Sequence, residues 1–227
     1  MGLTAPRVNE RLTTSTMKIR KIGHCCLLIE DRSVRVLTDP GIFSTDQNEE
    51  KSIDAVLVTH EHSDHIHIDS LKLILDNNPN AAVITNTAVA KLLDEAGLSY
   101  TLLGDHGTYM VGDLAVSAVE SLHAEIYEGI PRVLNTAFFI GERLFYPGDA
   151  FVDPERPVDI LALPVSAPWM KMSECIDYAR QLNPRICFPV HDAIVNVPQL
   201  FHGLPKRLLE PCGIQFQPLL AGETAEF

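Results

Sequence analysis

Four histidines fall within eight residues of this chain, directly after the apolar run Ala55 to Val58. The segment is Thr59-His60-Glu61-His62-Ser63-Asp64-His65-Ile66-His67. A short apolar run indicates a buried strand, and ligands bind in the loops that follow such strands in open α/β sheets. A histidine-rich surface loop without a ligand is the alternative, but it explains neither the aspartate inside the cluster nor the strand before it. The cluster therefore predicts an α/β fold with a metal site at the end of this strand.

The spacing within the cluster predicts two metal ions. Because alternate residues of an extended segment point the same way, His60 and His62 can bind one cation, while Asp64 and His65 reach a neighbouring one. Imidazole nitrogens together with carboxylate oxygens suit Zn²⁺, and more oxygen-rich sites also suit Mn²⁺ or Fe²⁺. We therefore expect two divalent metal ions, with zinc as the first choice and manganese or iron as alternatives.

Two ions need more ligands than one loop supplies, and three later residues also follow apolar strands. They are His123, Asp149 and His191. Taken singly, each has an ordinary structural explanation, because a lone histidine is often structural and Gly-Asp is a common turn dipeptide. Taken together with the cluster, they are predicted to complete the site.

Strand-like and helical segments alternate along the chain in an order that occurs twice. Antiparallel strands are predicted between residues 17 and 38, and two units of a strand and a helix follow between 55 and 96, the first helix capped by Asp69. Strands between 114 and 146, and two further strand and helix units between 160 and 209, repeat this order. Two such halves predict a four-layer α/β/β/α sandwich, with the sheets inside and the helices outside.

Composition and charge exclude several classes of protein. The chain has 18 Lys and Arg against 30 Asp and Glu, a formal net charge of -12, which opposes binding to nucleic acid. The polar start of the sequence and the lack of a long apolar run predict that the protein neither spans a membrane nor is exported. Five cysteines without a C-x-x-C motif are expected to be buried and reduced in the cytoplasm. We expect a loose arm at residues 1–16 and one domain over 17–227.

The seven candidate ligands resemble the signature of the metallo-β-lactamase superfamily, in the order His60-x-His62-x-Asp64-His65, His123, Asp149, His191. Four further motifs resemble the UlaG-like metal-dependent hydrolases, a group that includes ascorbate-6-phosphate lactonases: Gly23-His24, Asp39-Pro40-Gly41, Pro147-Gly148-Asp149 and Leu220-Ala221-Gly222-Glu223. The resemblance implies the metallo-β-lactamase fold. It also implies that one ion is held by His60, His62 and His123, that the other is held by Asp64, His65 and His191, and that Asp149 bridges them.

Other residues have two interpretations each. Asp39 would accept a hydrogen bond from a ligand imidazole, or it would cap its own Asp-Pro-Gly turn. His24 would contact the substrate, or it is a structural histidine at the end of a strand. Trp169 would line the substrate pocket, or it would pack in the core or at a subunit contact. Arg132 would bind a substrate phosphate or carboxylate, or it is a solvated surface residue. The remaining histidines are expected to be solvated or structural: His67, His106 and His202.

These ligands predict hydrolysis of a small ester, lactone or phosphorylated metabolite in the cytoplasm. Two divalent ions that share a water lower its pKa from about 15.7 toward about 7 and so supply hydroxide at neutral pH. Asp149 and Asp64 are the catalytic candidates, Asp64 as the group that accepts or relays the proton, a hypothesis that Asp64→Asn kinetics would test. The partner is then a small-molecule substrate, and the sequence does not predict an oligomeric state.

An iron-dependent oxidoreductase or dioxygenase of the same fold is the alternative. Flavodiiron-type members carry a glutamate where this chain has His62, and they carry a flavin domain for which 227 residues leave no room. A binding module that has lost catalysis would lack some of the seven ligands, and here none is substituted. We therefore place the metal-dependent hydrolase first.

Overall fold

The computed structural model describes residues 16–227. Nearly all of the predicted arm therefore lies outside the described residues, and the single-domain assignment stays a prediction. The strands are β1 (Lys18–Gly23), β2 (Cys26–Asp31), β3 (Val34–Thr38), β4 (Ala55–Leu57), β5 (Ala82–Thr85), β6 (Thr101–Leu102), β7 (Thr108–Val111), β8 (Leu114–Leu122), β9 (Leu134–Ile140), β10 (Leu144–Tyr146), β11 (Ile160–Pro164), β12 (Ile186–Val190), β13 (Gln215–Phe216) and β14 (Thr224–Glu226). The helices are α1 (Ile68–Asn77), α2 (Thr87–Ala96), α3 (Met172–Leu182) and α4 (Pro198–Leu209), with short 3₁₀ turns at Asp46–Glu49 and Glu210–Cys212.

The strands form two seven-stranded mixed sheets of similar design. The first has the order β14-β1-β2-β3-β4-β5-β6 and the second β13-β12-β11-β10-β9-β8-β7. In the first sheet the pairs from β14 to β3 are antiparallel and those from β3 to β6 are parallel. The second sheet is antiparallel from β7 to β10 and parallel from β10 to β13. The predicted order of antiparallel strands followed by strand and helix units is confirmed in both halves.

Three apolar layers hold these elements together. Side chains from both sheets, such as Leu27 and Phe138, interdigitate in a central layer. The outer face of the first sheet packs against α1 and α2 through residues such as Leu71 and Val89. The outer face of the second sheet packs in the same way, and Ile176 of α3 and Leu209 of α4 lie in this layer. The four-layer α/β/β/α sandwich is thereby confirmed.

The first helix begins differently from the sequence prediction. It begins at Ile68, with His67 in the capping position, so the prediction of an Asp69 cap is wrong. The backbone N–H of His67 donates to the carbonyl of Pro40 at 3.0 Å, and the His67 ring contacts the Ser70 hydroxyl at 3.0 Å. This contact with a distant loop sets the start of the helix, and Asp69 lies in its first turn, where the helix dipole favours a carboxylate.

None of the helices within residues 16–227 is long and apolar enough to cross a bilayer. Their place in the sandwich instead follows from the parallel strands, because each parallel pair needs a crossover connection. The helices take the outside of the sheets and leave the carboxyl ends of the strands open. Loops from both sheets meet at this edge.

Candidate metal centre

All seven predicted ligands lie just beyond the carboxyl ends of strands. The histidine cluster follows β4, His123 follows β8, Asp149 follows β10 and His191 follows β12. Because these ends face the same edge of the sandwich, the structure brings residues that are far apart in the sequence into one cluster. Five of the seven are buried, and the other two, His62 and Asp64, are partly exposed.

One group of three histidines matches the first predicted ligand set. Ring nitrogens of His60, His62 and His123 lie within 4.8 Å of one another. The ring centroid of His62 lies 4.7 Å from the ring centroid of His60 and 4.7 Å from that of His123. Three imidazoles at these distances can hold a tetrahedral cation with one position left open.

A second group lies beside the first. The Nε2 atoms of His65 and His191 lie 3.7 and 3.5 Å from Asp64 Oδ2. His24 and Cys25 also place a ring nitrogen and a sulfur within 4.8 Å of the ligating nitrogens of His65 and His191. Burial raises the pKa of the Cys25 thiol well above its usual value, so this sulfur is a neutral thiol in the metal-free protein.

The carboxylate of Asp149 lies between the two groups. Its Oδ1 is 3.2 Å from His65 Nε2, and its Oδ2 is 2.9 Å from His191 Nε2 and 3.4 Å from His123 Nε2. Oδ1 of Asp149 also belongs to a cluster with His60 and His65 in which the atoms lie within 4.8 Å of one another. This is the position that a bridging ligand would need.

The hydrogen bonds of the ligand histidines leave one ring nitrogen of each directed at the cluster. The Nδ1 atoms of His123 and His191 lie 2.6 Å from the carbonyl oxygens of Ala124 and Ser166, and these contacts fix Nδ1 as the protonated nitrogen. His60 Nδ1 lies 2.9 Å from the Thr59 hydroxyl. Within the described part of the chain, four buried atoms at this point make no well-formed hydrogen bond, although His65 Nε2 and His191 Nε2 face the Asp149 carboxylate at 3.2 and 2.9 Å: His60 Nε2, His65 Nε2, His191 Nε2 and Asp149 Oδ1. Buried polar atoms are rarely left unpaired, so these residues fit a bound cation.

Asp39 contacts the site through His65. Its carboxylate accepts hydrogen bonds from His65 Nδ1 at 2.7 Å and from the backbone N–H and hydroxyl of Thr59, both at 2.8 Å, and it also accepts one from the hydroxyl of Tyr146. These contacts orient the imidazole of His65, which is the first of the two interpretations of Asp39. Its own turn is closed through the backbone carbonyl, which accepts from the N–H of Gly41 at 2.8 Å.

His24 is buried, with a relative exposure of 2%, and it contacts Asp64. The backbone N–H of Ala193 donates to its Nδ1 at 3.3 Å, so Nε2 carries the proton and faces Asp64 Oδ2 at 3.3 Å. Its ring centroid lies 4.1 Å from that of His191. The structure therefore places His24 behind the predicted ligands, where it holds the carboxylate of Asp64.

The charges of the site balance one another in the absence of a cation. Burial would raise the pKa of Asp149, but His65 and His191 hold it well below its usual value. Burial would lower the pKa of His65, but Asp149 and Asp39 raise it well above its usual value. For His191 the same carboxylate, Asp149, outweighs burial and raises the pKa to about 9. A metal cation would replace these imidazole protons, because ligand histidines bind metal in the neutral form.

Two histidines of the first group, His60 and His62, have a lowered pKa instead. Burial lowers the pKa of His60 well below its usual value, and His65 lowers it further. Burial and the neighbouring His123 also lower the pKa of His62. Neutral imidazoles at neutral pH are the form that binds a divalent cation, so His60 and His62 can bind metal without the loss of a proton.

A glycine brings two loops of the site together. A Cβ atom at Gly41 would lie 1.9 Å from the backbone oxygen of Asp64, so no larger residue fits there. The backbone N–H of Ile42 then donates to the carbonyl of Ser63 at 3.0 Å. The Asp-Pro-Gly motif thereby fixes the loop that carries Asp64 and His65.

Trp169 and Arg132 take positions that the sequence did not predict. The indole N–H of Trp169 donates to Asp149 Oδ2 at 2.8 Å, and its ring packs edge-on against Phe151 at 5.2 Å. Arg132 donates to the backbone carbonyls of His123 and Leu122, at 2.5 and 3.2 Å. Trp169 is therefore buried against the site, and Arg132 is exposed to solvent while it holds the backbone of the loop that follows β8. His202, which was expected to be solvated or structural, is buried, and its Nε2 lies 2.7 Å from Asp192 Oδ2.

We expect Trp169→Phe to weaken metal binding by about ten- to hundredfold, the usual effect of removing a hydrogen bond to a metal ligand. Phenylalanine keeps an aromatic ring against Phe151 and removes the N–H that orients Asp149. Competition with a chromophoric chelator measures the change. Tyr178→Phe is the matched control, because it removes a hydrogen bond to the carbonyl of Val152 from the same aromatic cluster without touching the ligands. Equal affinities in the two variants would contradict the prediction.

Two packed mixed sheets with a buried cluster of histidines and aspartates at one edge define a metal-binding protein of the α/β sandwich class. The family model named "Beta-lactamase superfamily domain" matches residues 18–191, and the chain belongs to this superfamily. Protein Rv0786c of Mycobacterium tuberculosis is 37% identical over 210 residues, 89% of this chain and 96% of that protein. A UPF0173 metal-dependent hydrolase of Thermoplasma acidophilum is 30% identical over 209 residues, 83% of this chain and 90% of that one.

The fold also matches that of solved structures. The metallo-β-lactamase fold protein YhfI of Bacillus subtilis superimposes with a TM-score of 0.73 at 14% sequence identity, over 94% of this chain and 100% of that one. The predicted metallo-β-lactamase fold is thereby confirmed. The narrower resemblance to UlaG-like hydrolases stays a prediction.

Proposed function

We propose that the chain is a metal-dependent hydrolase in which two divalent ions act on a small ester, lactone or phosphorylated metabolite. Membership of the superfamily supports the hydrolase assignment, and so does the relative that is named a metal-dependent hydrolase. The ligands would be His60, His62 and His123 for one ion and Asp64, His65 and His191 for the other, with Asp149 between them. Zinc suits this mixture of imidazole and carboxylate, with manganese and iron as alternatives.

One observation carries the proposal. Four buried atoms that make no well-formed hydrogen bond converge at the edge of the sandwich, three imidazole nitrogens and one oxygen of Asp149. Leaving such atoms unpaired costs stability, and a bound cation removes that cost. The ions would supply a polarised substrate carbonyl or phosphoryl oxygen and a water with a lowered pKa.

The residues of the chain have separate tasks in this scheme. Asp39 and the carbonyls of Ala124 and Ser166 hold the ring tautomers of the ligand histidines. Asp64 is the one acidic ligand that a substrate can reach, because its side chain is 23% exposed against 3% for Asp149. Burial would raise the pKa of Asp64, but hydrogen bonds to His191 and His24 hold it below its usual value. Asp64 therefore stays ionised, which is the form that binds a cation, and its lowered pKa makes it a weak base, so its role in proton transfer is the part of the scheme that Asp64→Asn kinetics would test.

Metal content and activity test the proposal together. We would strip the protein with a chelator, reload it separately with Zn²⁺, Mn²⁺ or Fe²⁺, and measure bound metal by mass spectrometry. Initial rates would follow for a lactone, a carboxylic ester, a phosphodiester and a β-lactam. We expect two equivalents of metal and hydrolysis of one class that the chelator abolishes. A single equivalent would contradict the dinuclear site, and oxygen uptake by the iron form without hydrolysis would support the oxidoreductase alternative.

A small-molecule substrate in the cytoplasm fits the composition. The formal net charge of -12 opposes nucleic acid as a partner, and four of the five free cysteines are buried. The acidic surface therefore makes a small metabolite the better substrate.

A further inference from the structure

Exposed apolar side chains concentrate on the loops that follow the strands of the candidate metal centre. Six of them form what we call the apolar rim: Ile42, Phe43, Tyr127, Ile130, Ile194 and Val197. Their exposed fractions run from 43% for Ile194 to 73% for Tyr127. Large apolar side chains are costly in water, and a group of them beside a site marks a surface that binds something.

The three loops of the apolar rim begin at residues of the site. The Phe43 ring lies edge-on to His24, with centroids 4.9 Å apart. The loop that carries Tyr127 and Ile130 is closed by the pair of His123 N–H and Val133 carbonyl at 2.9 Å, and Ala124 N–H donates to the Asp149 carbonyl at 2.8 Å.

The third loop, with Ile194 and Val197, starts at His191 and is fixed by the hydrogen bond from Ala193 to His24. The bases of all three loops therefore lie at the metal centre.

The charges of these loops are unfavourable for an anionic substrate. Segments 40–47, 61–64, 124–132 and 192–197 contain one basic residue, Arg132, and six acidic ones. The guanidinium of Arg132 is engaged with the carbonyls of His123 and Leu122. Recognition of phosphate depends on arginine or lysine side chains, and these four segments offer only Arg132, two of whose three guanidinium nitrogens already donate to backbone carbonyls.

We propose that the substrate is an uncharged carboxylic ester or lactone with an aliphatic or aromatic acyl group, which the apolar rim binds. The proposal rests on the hydrolase function proposed above and removes the phosphorylated metabolite from its substrates. In the reaction the oxygen of water bonds to the carbonyl carbon, the bond from that carbon to the alcohol oxygen breaks, and the alcohol oxygen takes up a proton. The products are a carboxylic acid and an alcohol, joined in one hydroxy acid when the substrate is a lactone.

A series of acyl chain lengths tests the proposal. We would measure kcat/KM of the zinc-loaded protein for p-nitrophenyl acetate, butyrate and octanoate, with bis-p-nitrophenyl phosphate as the anionic probe. Each methylene that becomes buried contributes up to about a fourfold gain. We expect the octanoate to exceed the acetate by at least about tenfold, since part of the chain reaches the rim. Tyr127→Ser combined with Ile130→Ser should remove most of this preference, so that the octanoate and acetate values of kcat/KM become similar.

Leu73→Ser is the matched control. Leu73 is 48% exposed on α1, close to the 49% of Ile130, and it lies on a helix rather than on a rim loop. This variant should keep the preference for long chains. Chain-length preference that survives the double variant, or faster hydrolysis of the phosphodiester, would overturn the proposal.

A binding measurement separates the substrate from the hydrolase function. Trp169 is the single tryptophan of the chain and contacts Asp149, so its fluorescence can follow the titration of octanamide and acetamide, which mimic ester substrates without an ester bond. Tighter binding of octanamide in a protein that hydrolyses no ester would support the rim and contradict the hydrolase. Hydrolysis of esters without any chain-length preference would support the hydrolase function and contradict substrate binding by the apolar rim. If the double variant only converts a dimer to a monomer in sedimentation velocity, the rim is a subunit contact and the proposal fails.

Discussion

Asp149→Ala is expected to lower kcat/KM of the zinc-loaded protein by at least about a thousandfold, because the reacting water would no longer have a lowered pKa at neutral pH. Asp149 is the carboxylate that lies within 3.4 Å of ring nitrogens from both ligand groups, those of His65, His123 and His191. Without it neither of the two proposed ions would keep its full ligand set. Bound metal should fall from two equivalents to one or fewer, measured by mass spectrometry on the same samples.

Two further variants test whether the loss of activity in Asp149→Ala is due to the charge of this one carboxylate. Asp177→Ala removes an exposed carboxylate from α3 and should change neither activity nor metal content. Asp149→Asn keeps the shape of the side chain and the acceptor for the Trp169 N–H, so a folded but inactive Asn variant assigns the loss to the charge. Circular dichroism shows whether each variant is folded. Two bound equivalents with normal turnover in Asp149→Ala would contradict the bridging position.

Lys21→Met should destabilise the protein by about 3 to 5 kcal/mol, the usual cost of removing one partner of a buried ion pair. Lys21 of β1 is fully buried, and its ammonium donates to Asp192 Oδ1 at 2.6 Å and to the carbonyls of Pro189 and Leu219 at 3.0 and 3.3 Å. Burial lowers its pKa from the usual value, and Asp192 opposes that shift. Methionine fills the space, but Asp192 Oδ1 and the carbonyls of Pro189 and Leu219 lose the ammonium group that donates to them.

Urea unfolding of the metal-free protein measures this loss. Lys18→Met is the matched control, since Lys18 lies on the same strand and pairs with Glu30 at 3.2 Å with half of its side chain exposed. An exposed pair of this kind contributes about 0 to 1 kcal/mol. A Lys21→Met variant that loses no more stability than Lys18→Met would contradict the prediction.

The predictable parts of the structure are those with local signals. Helix α2 could be placed because Gly97 ends it in the left-handed conformation with φ of 68°, and the strand before the histidine cluster because it is wholly apolar. Strands β6 and β13 have two residues each, too few to produce a period, and pairing with neighbours holds them in place. Strand β14 pairs with β1 from the other end of the chain, where Lys18 faces Glu226, and no local pattern contains that information.

The same distinction applies to the site. The seven candidate ligands could be named because motif order and strand ends are properties of the sequence, and the structure brings all seven together. The contacts of Trp169 with Asp149 and of Lys21 with Asp192 depend on how distant segments pack. A single tryptophan or lysine in a sequence has many ordinary roles, and its partner is decided by the tertiary fold.

Each half of the chain supplies part of the candidate metal centre. The loop after β4 belongs to the first sheet, whereas His123, Asp149 and His191 follow strands of the second. The ligand set is therefore complete only after the two sheets have docked, a late event because it joins residues far apart in the sequence. Interactions formed after the folding transition state slow unfolding and leave the folding rate unchanged. A cation held by ligands from both sheets would thus slow unfolding, so the metal-loaded protein should unfold more slowly than the metal-free protein.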